Sequence, residues 1–324
     1  MSWRRRVRWR AVALVVVGIA IAIALPRVLY SALALRILLW ALFAVSVDLL
    51  LGYGGMLSFG HAAFWGGGGY AAALLAKTFE LPFPIAALGG TLVAMALAAP
   101  IGFLAIRRRG IYFAMVTLAF AQMLFYVVNE WRSLTGGENG LQGVPKILPG
   151  LSVSRTIDFY YAALPLVILG FFIAYRIVHS PYGHVLVSIR DNEARAQALG
   201  YPTQRYKLMA FVLSAGIAGL AGSLFAIGNS FASLELLHWT TSGSAVLMTV
   251  LGGMGTLSGG GIGAFIVLML EDSLSSVTEA PGVVTGAILI AIVLGFRRGL
   301  LPAVTDASRR ALSRIRASRV PTAG

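Results

Sequence analysis

The chain has 324 residues, 58% of them hydrophobic and only 12% charged, with a formal net charge of +14. A soluble domain of this size cannot hide so much apolar surface, so the composition points to an integral membrane protein. The basic excess sits at the chain ends and between apolar runs, which speaks against a nucleic-acid partner, and the absence of cysteine excludes disulfides, thiolate metal sites and thiol catalysis.

The opening MSWRRRVRWR and the apolar run at 11–25 have the form of a signal peptide. The chain continues directly into more apolar segments, so the run is read as an uncleaved first span. A helix needs ~20 apolar residues to cross the hydrocarbon. Further spans are expected at 33–51, 61–77, 84–105, 111–129, 158–178, 208–228, 243–253, 262–280 and 283–296. The short run at 243–253 is expected to extend backwards into HWTTSG. With the N-terminus in the cytoplasm, alternation places most of the 26 basic residues on the inner side. The expectation is an all-α integral membrane protein: one domain over 1–324, about ten transmembrane helices, glycine-broken helices and an internal repeat. Both termini are expected to be cytoplasmic, with a basic tail over 297–324.

Arg36 and Asp48 fall on the same expected helix. At ~1.5 Å per residue they are about 18 Å apart and cannot pair, so each is expected to reach water near its own end of the span, with a buried functional role as the alternative.

LGYGGMLSFG at 51–60 returns as LGGMGTLSGG at 251–260, sharing Leu51/Leu251, Gly52/Gly252, Gly55/Gly255, Leu57/Leu257, Ser58/Ser258 and Gly60/Gly260. Helix-breaking sequence at membrane depth is tolerated only where protein or a water-filled cavity surrounds it. Paired broken helices are a transporter device, so each copy is expected to supply one wall of a passage. The candidates are Gly52, Gly55, Ser58, Gly60, His61, Gly252, Gly255, Ser258 and Gly260. The span count places both copies on the same side. Close helix packing through small residues is the alternative, and WGGGGYAAA at 65–73 is a case of it. Ser58, His61 and Asp48 also raise a hydrolase triad, but no nucleophile-elbow sequence accompanies them. His61 is read as a hydrogen-bonded interior residue.

The outer loop at 130–157 contains SLTGGENGLQGVP and is expected to fold back on itself. The inner loop at 176–207 is too polar to span. Ser180 can cap a helix that has Pro181 at its first position, and Gly200 and Pro202 can end it. Over about 182–199, Val185, Leu186, Ile189, Ala196 and Leu199 fall on one side. This helix either lies on lipid or docks on a partner protein, and the mixed charge and small residues of DNEARAQALG favour docking. There is no G-x-x-x-x-G-K-[ST], so ATP is not cradled here by such a loop.

LLLGYGGMLSFGHAAFWGGGGYAAALL, RGIYFAMVTLAFAQM, SLTGGENGL, SPYGHVLVSIRDNEARAQALGYPTQRYKLMAFVLSAGIAGLAGSLFA and VLGGMGTLSGGGIGAF resemble, in order, the permease of branched-chain amino acid ABC importers of the LivM type. The resemblance covers about 33–296. It implies a non-catalytic subunit of a bacterial inner-membrane importer, without cofactor or metal, that carries leucine, isoleucine or valine. Implied partners are a second permease of the LivH type, two cytoplasmic ATPases, a periplasmic binding protein and the lipid bilayer. The loop at 179–207 would be the ATPase coupling loop, with Arg190, Glu193, Ala196, Ala198 and Gly200 as candidates. The glycines of FWGGGGY and the His184 that stands where the family often has arginine depart from the pattern. Related permeases carry urea, short amides or aromatic acids, so the solute stays open. A self-contained secondary transporter is the rival class.

Overall fold

A computed structural model of the chain describes residues 18–275, 284, 286–290 and 299–301. The first helices are α1 (Gly18–Val28), α2 (Ser31–Asp48), α3 (His61–Thr78), α4 (Phe83–Ala105) and α5 (Ile111–Glu130). The short α6 (Arg132–Thr135) and strand β1 (Leu141–Gln142) follow. Next come α7 (Thr156–Val178), α8 (Pro181–Asp191), α9 (Glu193–Ala198), α10 (Thr203–Gly228), strand β2 (Phe231–Ala232), α11 (Trp239–Gly252) and α12 (Ser258–Ser275).

Nine of the expected spans coincide with α1, α2, α3, α4, α5, α7, α10, α11 and α12, and α11 begins at Trp239, inside the HWTTSG stretch. Five described helices are long and apolar enough to cross a membrane: Ser31–Tyr53, Phe83–Ala105, Ile111–Glu130, Thr156–Val178 and Thr203–Gly228. Glycine dilutes the hydropathy of α3, and α12 carries Glu271 and Asp272 near its end. The start of the first span, the end of the ninth, most of the tenth and most of the basic tail lie outside the described residues.

α2 and α10 are the inner pillars, and α4, α5 and α7 form the rim. The most apolar windows of α2 and α10 are 89% and 83% buried, against 33%, 22% and 33% for the other three. The rim turns Leu92, Phe103, Met115 and Phe172 outward, which suits a hydrocarbon solvent. Lipid tails give apolar side chains no reason to cluster, so helix association depends on close backbone approach and on interhelical hydrogen bonds.

Both are present between α3 and α10. A Cβ on Gly222 would lie 1.9 Å from the Trp65 carbonyl oxygen, and one on Gly68 would lie 2.7 Å from Gly219 Cα. The WGGGGYAAA stretch is thus a packing seam. Ser223 donates to the Gly68 carbonyl at 3.0 Å, Thr249 of α11 to the Ala44 carbonyl of α2 at 3.0 Å, and Ser242 accepts the Ala62 amide of α3 at 2.7 Å. Each such bond in a bilayer contributes ~0.6 kcal/mol on average.

The two ends of the bundle differ. At one end the 130–157 loop folds back as expected. β1 pairs antiparallel with β2, Leu141 opposite Ala232, and Lys77 donates to the Gln142 carbonyl at 2.8 Å. At the other end lie the Arg107–Arg109 turn, α8 and α9. Arg36 does not simply reach water: it pairs with Glu271 of α12 at 3.0 Å, with both side chains partly exposed.

Candidate functional site

The site begins at the last residue of α2. After Asp48 the chain does not stop but widens into a π-helical turn, Leu49–Tyr53, and leaves it through Gly55 at φ +66°. The second glycine segment leaves α11 at Gly252 and passes through Gly253, Gly255 and Leu257 at φ +118°, +73° and +57°. Gly55 and Gly255, matched in the sequence repeat, therefore share the left-handed conformation that glycine tolerates.

The two segments touch each other. A Cβ on Gly52 would lie 2.4 Å from the Gly255 nitrogen, so only glycine permits the approach. Asp48 is fully buried there, contrary to the expectation that it reaches water. Its Oδ1 accepts the Gly255 N–H at 2.7 Å and its Oδ2 the Leu257 N–H at 2.9 Å. Backbone amides turned inward by left-handed residues form a small anion-binding concavity, and the carboxylate fills it. Leucine in that conformation costs ~1–2 kcal/mol, which the charge-assisted hydrogen bond offsets. The position of Met248, equivalent to Asp48 in the repeat, has no acid. The carboxylate that precedes the first copy therefore binds the second.

Arg190, in the last turn of α8, reaches the same junction. Its Nη1 donates to the Gly52 carbonyl at 2.5 Å, while Nε and Nη2 donate to Asp191 Oδ1 at 3.1 and 2.9 Å. The Gly55 α-carbon faces the Arg190 stem: a Cβ there would meet Arg190 Cγ at 2.6 Å.

Ser58, Gly60 and His61 form a separate layer. Ser58 accepts the Gly60 N–H at 3.1 Å, and Gly60 lies against Thr117 of α5. His61 Nε2 is 2.7 Å from Ser214 Oγ, whose own hydrogen goes to the Ser46 carbonyl at 2.6 Å. The serine proton is thereby committed, so His61 Nε2 is the donor and Nδ1 carries no hydrogen. Nδ1 is buried without a hydrogen-bond partner. His61 is thus the interior residue expected, and Ser58, His61 and Asp48 do not assemble into a triad. Gly252 packs on Gly259 and Gly260 on Ala44 and Val45, within the α2–α11–α12 contact, and Ser258 is exposed.

The inner loop is two helices, not the single one expected over 182–199. Ser180 Oγ accepts the Gly183 N–H at 3.3 Å with Pro181 at the first position, as the sequence indicates. Asn192 then leaves the helix at φ −158°, and its side chain caps α9 through the Arg195 N–H at 2.9 Å. Gly200, at φ +86°, ends α9: its N–H bonds the Gln197 carbonyl and that of Tyr201 the Ala196 carbonyl, a Schellman motif. Leu186, Ile189 and Ala196 face inward, but Leu199, expected with them, is 71% exposed, and Ala198 is exposed beside it. Tyr182 stacks on Tyr206 and donates to its carbonyl at 2.7 Å; burial pushes its phenol pKa up.

Glu193 points inward. Its Oε2 meets Lys207 Nζ at 2.7 Å and Arg109 Nε at 3.2 Å, and Oε1 accepts from Thr203 at 3.3 Å. It ties α9 to α10 and to the α4–α5 turn. Sequence reading does not single out Lys207 or Ser214, and it offers a buried role for Asp48 only as the alternative to reaching water. The one signal available was an acid inside an apolar span, four residues before a glycine break.

The family described as branched-chain amino acid transport system / permease component matches residues 29–294. The chain is 30% identical over 293 residues to the high-affinity branched-chain amino acid transport system permease protein LivM of Escherichia coli (strain K12), covering 82% of this chain and 68% of that one. It is 25% identical over 287 residues to LivH of Salmonella typhimurium, covering 81% of this chain and 91% of that one. No solved structure matches. With the match spanning both glycine segments and the α8–α9 loop, the chain belongs to the permease-component family of branched-chain amino acid transport systems.

Proposed function

We propose that this chain is one permease subunit of an ATP-driven importer and forms half of the path for leucine, isoleucine and valine. Its similarity to both LivM and LivH supports a second permease of the LivH type as partner. Two ATPases and a periplasmic binding protein complete the assembly, in a bacterial inner membrane. The observation that carries the reading is the junction itself: two broken helices meet at Gly52 and Gly255, and a helix of the inner loop is fastened to them by Arg190. A permease moved from outside the bilayer needs such a connection.

The exposed edge of α9, with Ala198, Leu199 and Gly200, is the ATPase-docking surface in this reading. Ten spans with both termini cytoplasmic complete it. Reporters fused at Gly137 and Gly200 should appear on opposite sides of the membrane; finding both on one side refutes the topology. The functional test is uptake of labelled leucine by proteoliposomes holding both permeases, the ATPases and the binding protein. Uptake that needs ATP and the binding protein supports the proposal. Uptake by this chain alone, driven by an ion gradient, overturns it in favour of a secondary transporter.

A further inference from the structure

We infer that Asp48 and Arg190 form one clasp that fastens both glycine breaks to α8 and carries movement of the α8–α9 loop into the spans, an inference that rests on the transport reading above. Asp48 holds the second break by the Gly255 and Leu257 amides, and Arg190 holds the first by the Gly52 carbonyl. The two holds are adjacent, because Gly52 and Gly255 are in contact and Asp48 Oδ1 lies against both.

The clasp joins parts of the chain that are far apart in sequence. α2 and its π turn, the α11–α12 connection and α8 converge on it. Each hold is a hydrogen bond to a charged side chain, the stronger class. Each ends on a backbone group at a place where the regular helix ladder is interrupted, so the pull acts directly on main chain. Asp191 fixes the Arg190 fork from the exposed side. When α8 shifts, the Gly52 carbonyl must follow Arg190 or be released, and Gly255 must follow Gly52. Asp48 and Arg190 are positioning residues for transport.

The test uses the complete reconstituted transporter and reads leucine uptake and ATP hydrolysis in the same vesicles. Arg190→Ala and Asp48→Asn should leave assembly and hydrolysis in place while uptake per ATP falls at least about tenfold, the factor expected for loss of one charge-assisted hydrogen bond. The double variant should be no worse than the more severe single one, because either change opens the same clasp. Assembled variants whose uptake per ATP equals that of the unaltered protein overturn the inference. So does a double variant whose loss is the product of the two single losses. A proportional fall of uptake and hydrolysis together also overturns it, since that is the mark of simple misfolding or lost docking. If Asp48→Asn fails to assemble, Arg190→Ala decides alone: its side chain is 38% exposed, and removing it opens no sealed void. Absence of uptake by the unaltered complex instead refutes the transport reading, which keeps the two failures apart.

Discussion

Glu193→Gln removes the charge that faces Lys207. The two side chains are 15% and 11% exposed and 2.7 Å apart, so the lysine would be stranded in a nearly dry place. Breaking a buried pair from one side costs ~3–5 kcal/mol, and the residual exposure here argues for the lower end. About 3 kcal/mol is roughly a hundredfold in the equilibrium for detachment of α9. Arg109 shares the same carboxylate oxygen at 3.2 Å but is 69% exposed, so Arg109→Ala should cost only ~0.2–1 kcal/mol. Hydrogen exchange at the amides of α9 in the solubilised protein measures the detachment directly. Exchange should quicken about a hundredfold in Glu193→Gln and less than about fivefold in Arg109→Ala. Replacing both partners, Glu193→Leu with Lys207→Met, should restore most of the protection, because the one charge left without its partner, on Arg109, is solvated. Unchanged exchange in Glu193→Gln, or a double variant as labile as the single one, refutes the reasoning.

Gly222→Ala should lower the thermal midpoint in detergent, by ~1–3 kcal/mol of overpacking against the Trp65 carbonyl, whereas Gly243→Ala, with open space around it in α11, should be neutral or stabilising. Equal midpoints for the two would refute the α3–α10 seam. Ser214→Ala leaves the His61 Nε2–H without its acceptor and the Ser46 carbonyl without its donor, so unfolding in denaturing detergent should come ~1–3 kcal/mol earlier. Gly200→Val forces a β-branched residue to φ +86°, costs ~1–2 kcal/mol at the end of α9, and should reduce co-purification of the ATPases while the helical circular dichroism of the spans stays unchanged.

Hydropathy made the positions of nine helices legible, because span length is set by the bilayer and apolar runs must match it. Caps were legible too. Ser180, Pro181 and Gly200 act through local backbone geometry, which sequence encodes directly. The break at Asn192 was not, since asparagine there completes an apparently continuous amphipathic pattern and only its φ and side-chain cap end α8. The glycine repeat was visible as a match of letters, and Gly55 and Gly255 share a conformation. That Gly52 meets Gly255 rather than its own counterpart Gly252 depends on tertiary packing. Asp48 illustrates the same limit. Its distance from Arg36 along the helix was calculable, but its partners lie more than two hundred residues away, on backbone amides that have no letter in the sequence.

The π turn at Leu49–Tyr53 has a mechanical consequence. A π turn holds one residue more than an α turn at that point, and each α-helical residue advances about 100° around the axis. Tightening the turn to α geometry would pass that residue into the segment beyond and swing everything after it by about 100° relative to α2. The hydrogen bonds that close the turn, such as Met56 N–H to the Leu50 carbonyl at 3.0 Å, would exchange partners, and the contacts of Gly52 with Gly255 and Arg190 would have to re-form. The first break is therefore an index mark: a place where the chain can change by one whole residue, in a discrete step, while the helices on either side stay intact.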